Sequence, residues 1–299
     1  MIFEYYPELQ ETEHTTIVPG DEYFDVLILG GSVLNKDFSP VGRFIKDNNK
    51  RIRIHNLAIP AHTSLDSRIK YSYLKDTAFD FVVFYHGINE TRTNNCPQDV
   101  FDADYNHVRW YEEINTLRTS AVNVSVIPFA IKQWLHSVSR SLGIKQYIPM
   151  EFPRRDWMRY GSDVKSAASF KFNVLEIVNL ANKNKTPLLL LSFAYYVLDD
   201  YSLDKFLGGE LDYATRPDAS GTRGTPIEIW GQPKNVEQGI LAHNQALREI
   251  SASQEQVHFL DMNQLLPKSK EYFNDVCHLT RKGSRFLAER VSTVVAQFL

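Results

Sequence analysis

The stretch Asp25-Val26-Leu27-Ile28-Leu29-Gly30-Gly31-Ser32 decides how the rest of the chain is read. Phe24 to Leu29 is almost wholly apolar and rich in branched side chains, the composition of a strand covered on both faces of a sheet. The two glycines let the backbone turn where a side chain would collide, and Ser32 follows at the strand's carboxyl end. In open α/β sheets ligands bind along that edge, which makes the Ser32 hydroxyl a candidate nucleophile. Ser32 is also well suited to cap a helix, and the turn alone does not separate these two roles.

Working outward, the same unit recurs twice. Arg51 to His55 alternates charged and isoleucine positions as a second strand would, and ends in Asn56-Leu57-Ala58-Ile59-Pro60-Ala61-His62-Thr63-Ser64. Phe79 to Tyr85 is dense in aromatic and β-branched residues and ends in His86-Gly87-Ile88-Asn89-Glu90. Helical stretches expected at Phe38–Asn48 and Leu65–Asp76 separate the strands, an alternation that predicts a parallel sheet with right-handed crossovers. All three polar turns should then share one edge. Further on, Pro187–Ala194 and Val257–Leu260 read as strands. Helices are expected at Ser162–Asn182, at Val236–Ser253, and from an N-capping Thr280 to Gln297.

Between these elements the rhythm breaks at about 91–161 and 195–235, which read as insertions in a single domain spanning 23–299. Short helices are expected within the first, at Asn106–Arg118 and Ala130–Ser141. Its Trp110, Trp134 and Trp157 either pack the insertion onto the domain or floor a pocket for a sugar or acyl group. Residues 1–22 form an N-terminal extension without strong periodicity, expected to wrap the domain or meet a partner, and carry no assigned chemistry.

Composition narrows the classes. Of 299 residues 43% are hydrophobic, enough for one large core, and 33 basic against 36 acidic residues give a net charge of −3. With no basic block to track a phosphate backbone, no nucleic-acid partner is expected. Cys96 and Cys277 cannot form a disulfide framework, and neither belongs to a C-x-x-C pair. The N-terminus lacks a basic start followed by an apolar run, so a cytoplasmic location is expected, and Pro187 to Leu198 is too short to span a bilayer.

Chemistry gathers again just before the last helix, in Asn274-Asp275-Val276-Cys277-His278. Three residues apart in a helical turn, Asp275 and His278 project to one side, where the carboxylate can orient the imidazole. Such a histidine can take a serine proton and return it to a leaving group. A solvated turn with a capping aspartate remains the simpler reading of the pair alone. A metal would need further ligands, and no additional Cys, His or carboxylate cluster supplies them; no metal or cofactor is expected.

Taken together, Gly30-Gly31-Ser32, Asn56-Leu57-Ala58, Gly87-Ile88-Asn89 and Asp275-Val276-Cys277-His278 span almost the entire chain, and in that order the sequence resembles the SGNH (GDSL-like) hydrolase family. Its motif wording is most similar to bacterial members with G-G-S and Y-H-G-x-N blocks. The resemblance implies a flavodoxin-like three-layer α/β/α sandwich with a five-stranded parallel sheet in the order 2-1-3-4-5. It implies that Ser32 attacks an ester carbonyl, that His278 acts as base and then acid, and that Asp275 orients it. The oxyanion donors it implies are the Ser32 N–H, the Ala58 N–H and the Asn89 amide. Gly87, His62, His86 and Arg92 flank these positions and are candidates for lining the substrate site.

The chain departs from the family in carrying Ala58 where glycine is usual, Ala61 where related members often have another glycine, and Glu90 in place of a frequent aspartate. Glu90 is read as structural and Cys277 as core. The G-x-S-x-G elbow of the α/β-hydrolases is absent, because Leu34 stands where its second glycine would be. The expected function is a serine ester hydrolase removing a small acyl group, with O-acetyl on a carbohydrate as the favoured substrate. Acyl transfer through the same serine, and noncatalytic glycan binding by the same fold, stay open.

Overall fold

The opening stretch lies next to the centre of a five-stranded parallel sheet whose strands, numbered along the chain, stand in the order 2-1-3-4-5, the order expected. The computed structural model describes residues 2–18, 20–45, 51–103, 127, 131, 134–135, 138, 153–214 and 224–299. In chain order its elements are α1 (Ile2–Tyr5), α2 (Leu9–Glu13), β1 (Tyr23–Gly30), α3 (Val41–Ile45), β2 (Arg51–Asn56), α4 (Ser64–Tyr73) and β3 (Phe81–Tyr85). Then come α5 (Ser166–Asn184), β4 (Leu188–Leu191), α6 (Leu203–Gly208), α7 (Pro233–Ala252), β5 (Val257–Leu260), α8 (Met262–Leu265) and α9 (Arg281–Val295).

Alternation along the central strands divides the core into two faces. Val26 and Ile28 of β1, Phe81 and Val83 of β3, and Leu189 and Leu191 of β4 point to one face, where Val41, Ile45, Leu287 and Val291 cover them. Leu27, Leu29, Val82, Phe84, Leu188 and Leu190 point to the other, against Tyr71, Phe170, Ile177, Leu247 and Ile250. Helices therefore sandwich the sheet, and near-continuous burial explains why these strands carry apolar runs rather than polar alternation. Tyr6 and Leu9 belong to the second face, so the N-terminal segment packs into the domain.

Boundaries move by a few residues where local chemistry overrides periodicity. The helix expected from Phe38 begins at Val41, where the Val41 N–H donates to Ser39 Oγ across Pro40. Helix α4 starts at Ser64 because Thr63 and Asp66 form a capping box, and α9 starts after the predicted cap, Thr280, whose Oγ1 accepts from Gly283 N–H. The helix expected at Asn106–Arg118, with Trp110, lies outside the described residues. Of Ala130–Ser141 only Ile131, Trp134, Leu135 and Val138 are described, all helical. No helix among the described residues is long and apolar enough to cross a membrane.

Candidate active site

Because β1 and β3 run parallel and α9 returns to the same edge, the first and third turns and the pre-α9 turn converge. Ser32 opens a 3-10 turn, Ser32–Leu34, directly after β1, and its Oγ lies 3.0 Å from His278 Nε2. On its other side the His278 ring donates from Nδ1 to Asp275 Oδ2 at 2.8 Å, a tautomer that leaves Nε2 free to accept the serine proton. Every oxygen of Asp275 is engaged: Oδ1 accepts from the Cys277 and His278 N–H groups, and Oδ2 also from Thr225 N–H at 2.9 Å. Burial disfavours the charge of Asp275, but the imidazole and these donors hold its pKa below the ordinary value. Burial also opposes charging His278, and the adjacent carboxylate outweighs it, raising the imidazole well above its ordinary value.

The second turn is stitched to the first by two asparagines. Asn35 Nδ2 donates to Ala58 O at 2.8 Å, and Asn56 Nδ2 donates to Leu34 O at 2.9 Å. Asn56 Oδ1 accepts the Ala58 N–H at 2.9 Å, so the expected oxyanion donor is already bonded inside its own turn. The backbone three residues on differs. Ala61 has φ of 67°, the left-handed conformation that glycine adopts at least cost, and among the described residues its N–H has no acceptor. Ser32 N–H is likewise without an acceptor among them.

Asn89, which opens a 3-10 turn after β3, brings its amide to the nucleophile. Its Nδ2 donates to His62 O at 2.8 Å, and a Cβ on Gly31 would lie 3.2 Å from that nitrogen, so a larger residue there would push the amide back. The amide is oriented by a residue the sequence reading missed. Trp230 donates from Nε1 to Asn89 Oδ1 at 3.0 Å, its ring centroid lies 6.2 Å from that of His278, and its carbonyl accepts from Asn95 Nδ2 at 2.7 Å. No local motif marks it, since it stands 141 residues from its partner in the long second insertion.

The residues expected to line the substrate site behave otherwise. The His62 ring is fully buried with Nδ1 at 2.9 Å from Lys70 Nζ, His86 is buried with Nε2 at 2.7 Å from Ser67 Oγ, and Arg92 is buried with Nε donating to Ile229 O at 3.0 Å. His62 and Arg92 brace turns instead of facing a cleft, while His86, bonded to Ser67, also borders the small cavity beside Ser32. Gly87 does border a cavity of about 10 Å³ with Gly31, Ser32, Ile88, Asn89 and Phe193, and a Cβ there would meet Phe193 Cβ at 2.5 Å. Glu90 is buried and accepts from the Ser64 N–H at 2.5 Å, a bracing role as read from sequence. Cys277 is buried, as expected of a core residue, with Sγ 3.7 Å from His278 Nδ1.

Outside the small cavity a groove of about 410 Å³ passes over Ser32 and His278, walled by Phe38, Pro60, Thr225, Asn274, Leu279 and Ser284. Asp275, Cys277 and His278 are close enough to serve as a metal-ligand group. A metal there would have to displace the hydrogen bonds of Asp275 and ionise a thiol that burial pushes up to about 11.

No protein-family model matches the chain, and no curated protein matches it. Solved structures do. A GDSL-like lipase from Bacteroides thetaiotaomicron matches at 14% identity with a TM-score of 0.54, over 99% of this chain and 100% of that one. An acetyl xylan esterase matches at 12% identity and a TM-score of 0.47, over 91% of this chain and 100% of the other. An acetylxylan esterase from Geobacillus stearothermophilus matches at 13% and 0.44, over 94% and 96%. At such identities likeness speaks of architecture alone, and only the first is near enough to carry that argument. Sheet order, full-length superposition and the order of the four turns agree: the chain has the fold of the SGNH, or GDSL-like, hydrolases.

Proposed function

We propose that the protein is a serine ester hydrolase working through an acyl-enzyme on Ser32. The observation that carries the reading is the hydrogen-bonded series Ser32 Oγ, His278 Nε2, His278 Nδ1, Asp275 Oδ2, at 3.0 Å and 2.8 Å, at the ligand-binding edge of the sheet. His278 takes the hydroxyl proton as Oγ attacks the carbonyl carbon, and Asp275 stabilises the imidazolium. The carbonyl oxygen, now an oxyanion, is held by the Ser32 N–H, the Asn89 amide and the Ala61 N–H. His278 returns its proton to the departing alcohol, the tetrahedral intermediate collapses to the acyl-enzyme, and a water activated by the same imidazole releases the acid.

The acyl group is small. The space of about 10 Å³ beside Ser32, bordered by Gly87 and Phe193, favours a group the size of acetyl. The alcohol side is the open groove, where Phe38, 65% exposed, offers a ring face against which the C–H face of a sugar can pack. An O-acetylated carbohydrate fits both. Purified protein should hydrolyse p-nitrophenyl acetate at least about tenfold faster than the octanoate, a penalty of the size a mismatched pocket imposes. Equal rates for wild type and Ser32→Ala would overturn the reading.

A further inference from the structure

The geometry points to the N-terminal segment as part of the catalytic apparatus: we propose that Glu8 and Tyr6, acting through Lys70, His62 and Asp66, are positioning residues for the Leu57–Thr63 turn and the oxyanion donors it governs. The proposal rests on the esterase reading for its effect on rate, and on contacts alone for its effect on the turn.

Lys70 lies on the inner side of α4 and is completely buried. An ammonium has three hydrogens to donate, and three acceptors surround Nζ: Leu57 O, His62 Nδ1 at 2.9 Å and Glu8 Oε1 at 3.2 Å. Two of these belong to the turn and the third to the N-terminal segment. Burial lowers the pKa of Lys70, and Glu8 is the largest influence opposing it. Without Glu8 the buried ammonium would lose its carboxylate partner, and the position of Nζ between Leu57 O and the His62 ring would no longer be fixed from the N-terminal side.

Tyr6 holds the other end. Its ring meets the His62 ring edge-on with centroids 5.7 Å apart, and its hydroxyl donates to Asp66 Oδ1 at 3.0 Å. The second oxygen of Asp66 accepts from both the N–H and the hydroxyl of Thr63, at 2.7 and 2.9 Å, so Tyr6 steadies the carboxylate that closes the turn. Between these anchors lies Ala61, strained at φ of 67°, and next to it the His62 carbonyl that receives Asn89 Nδ2 at 2.8 Å. The turn thus touches two of the three oxyanion donors. A strained backbone persists only where its surroundings over-determine it, and here part of those surroundings comes from residues far from the sequence blocks.

The test compares wild type with Glu8→Gln, Tyr6→Phe and the apolar double replacement Glu8→Leu with Lys70→Met, which removes the buried pair without leaving a lone charge. Activity on p-nitrophenyl acetate is expressed per Ser32 titrated by a fluorophosphonate, so that misfolded molecules do not count. Hydrogen exchange of residues 57–63 is followed in parallel. Because small displacements of positioned groups slow chemistry without weakening binding, Glu8→Gln should lower kcat per titrated site about tenfold with KM within about twofold, and the double variant should stay slow although folded. Exchange should rise in 57–63 in each, and Tyr6→Phe supplies the same comparison if Glu8→Gln does not fold. Unchanged kcat per site would overturn the positioning role. If wild type neither hydrolyses the ester nor takes the label, the esterase reading fails, and exchange alone decides: faster exchange in 57–63 supports the anchoring, unchanged exchange overturns it.

Discussion

Ala61 is the residue whose backbone angle underlies the proposed oxyanion donor. Its left-handed conformation, φ of 67°, costs an alanine roughly 1 kcal/mol. Ala61→Gly keeps the N–H and relieves the strain, while the freer unfolded chain offsets part of the gain. The expected result in urea denaturation is a change between about 0 and +1 kcal/mol, with kcat retained. Asn89→Ala removes a side-chain donor and should lower kcat by on the order of 10² to 10³ with little change in KM. Trp230→Phe keeps an aromatic ring but frees Asn89 Oδ1, and a loss of about tenfold in kcat is expected in the same assay. At this scale Ser32, Asn89, Asp275 and His278 were legible because each sits in a short motif at a predicted strand end or before a predicted helix. Ala58 and Ala61, three apart in one turn, look alike in the sequence, and only the φ of Ala61 and the Asn56 side chain bonded to the Ala58 N–H set them apart. His62 and Arg92 were placed at the cleft by adjacency, whereas direction, which adjacency does not give, turns them inward; His86 does border the small cavity beside Ser32.

Strands were the best-read elements, since β1, β3 and β4 are covered on both faces and announce it with unbroken apolar runs. Helix starts were read where a cap was visible, as at Thr280, and shifted where it was overlooked, as at Thr63 and Asp66. Lys70, four residues after Asp66, has the spacing of an exposed helix pair, and nothing local signals that it is buried against an N-terminal glutamate. The turn before α9 sets the pH profile. Catalysis needs neutral His278, whose pKa lies well above its ordinary value beside Asp275, so kcat/KM should climb with pH along a limb above 6.5. Asp275→Asn removes the charge that raises this pKa, which should move the limb toward acid while lowering the plateau. The start of α4 carries a second ionisation. Burial pushes Glu90 up to about 7, so the folded state holds that proton more tightly than the unfolded chain does. Stability is then lost as pH rises from the ordinary carboxylate range through about 7, by roughly 3 kcal/mol if Glu90 alone is responsible. Melting curves of Glu90→Gln should show a flatter dependence over that interval.

At the scale of the whole molecule, sequence patterning conveyed a parallel sheet and the edge on which the turns meet, because strand and helix alternate and crossovers are right-handed, while the strand order came from the family resemblance. What joins the turns was not legible, since it depends on contacts between distant segments: Trp230 with Asn89, Thr225 with Asp275, and Glu8 with Lys70. The long second insertion, expected to decorate the active edge, thus contacts Asp275 and Asn89, and the N-terminal segment, left without chemistry by the sequence, contacts Lys70 beneath the Leu57–Thr63 turn. The central claim is that this architecture activates one hydroxyl, and it is tested most directly by peptide mapping after reaction with a fluorophosphonate. The account predicts a single adduct on Ser32, forming faster as pH rises along the His278 limb and lost in His278→Ala. An adduct elsewhere, or labelling of His278→Ala at the wild-type rate, would contradict it.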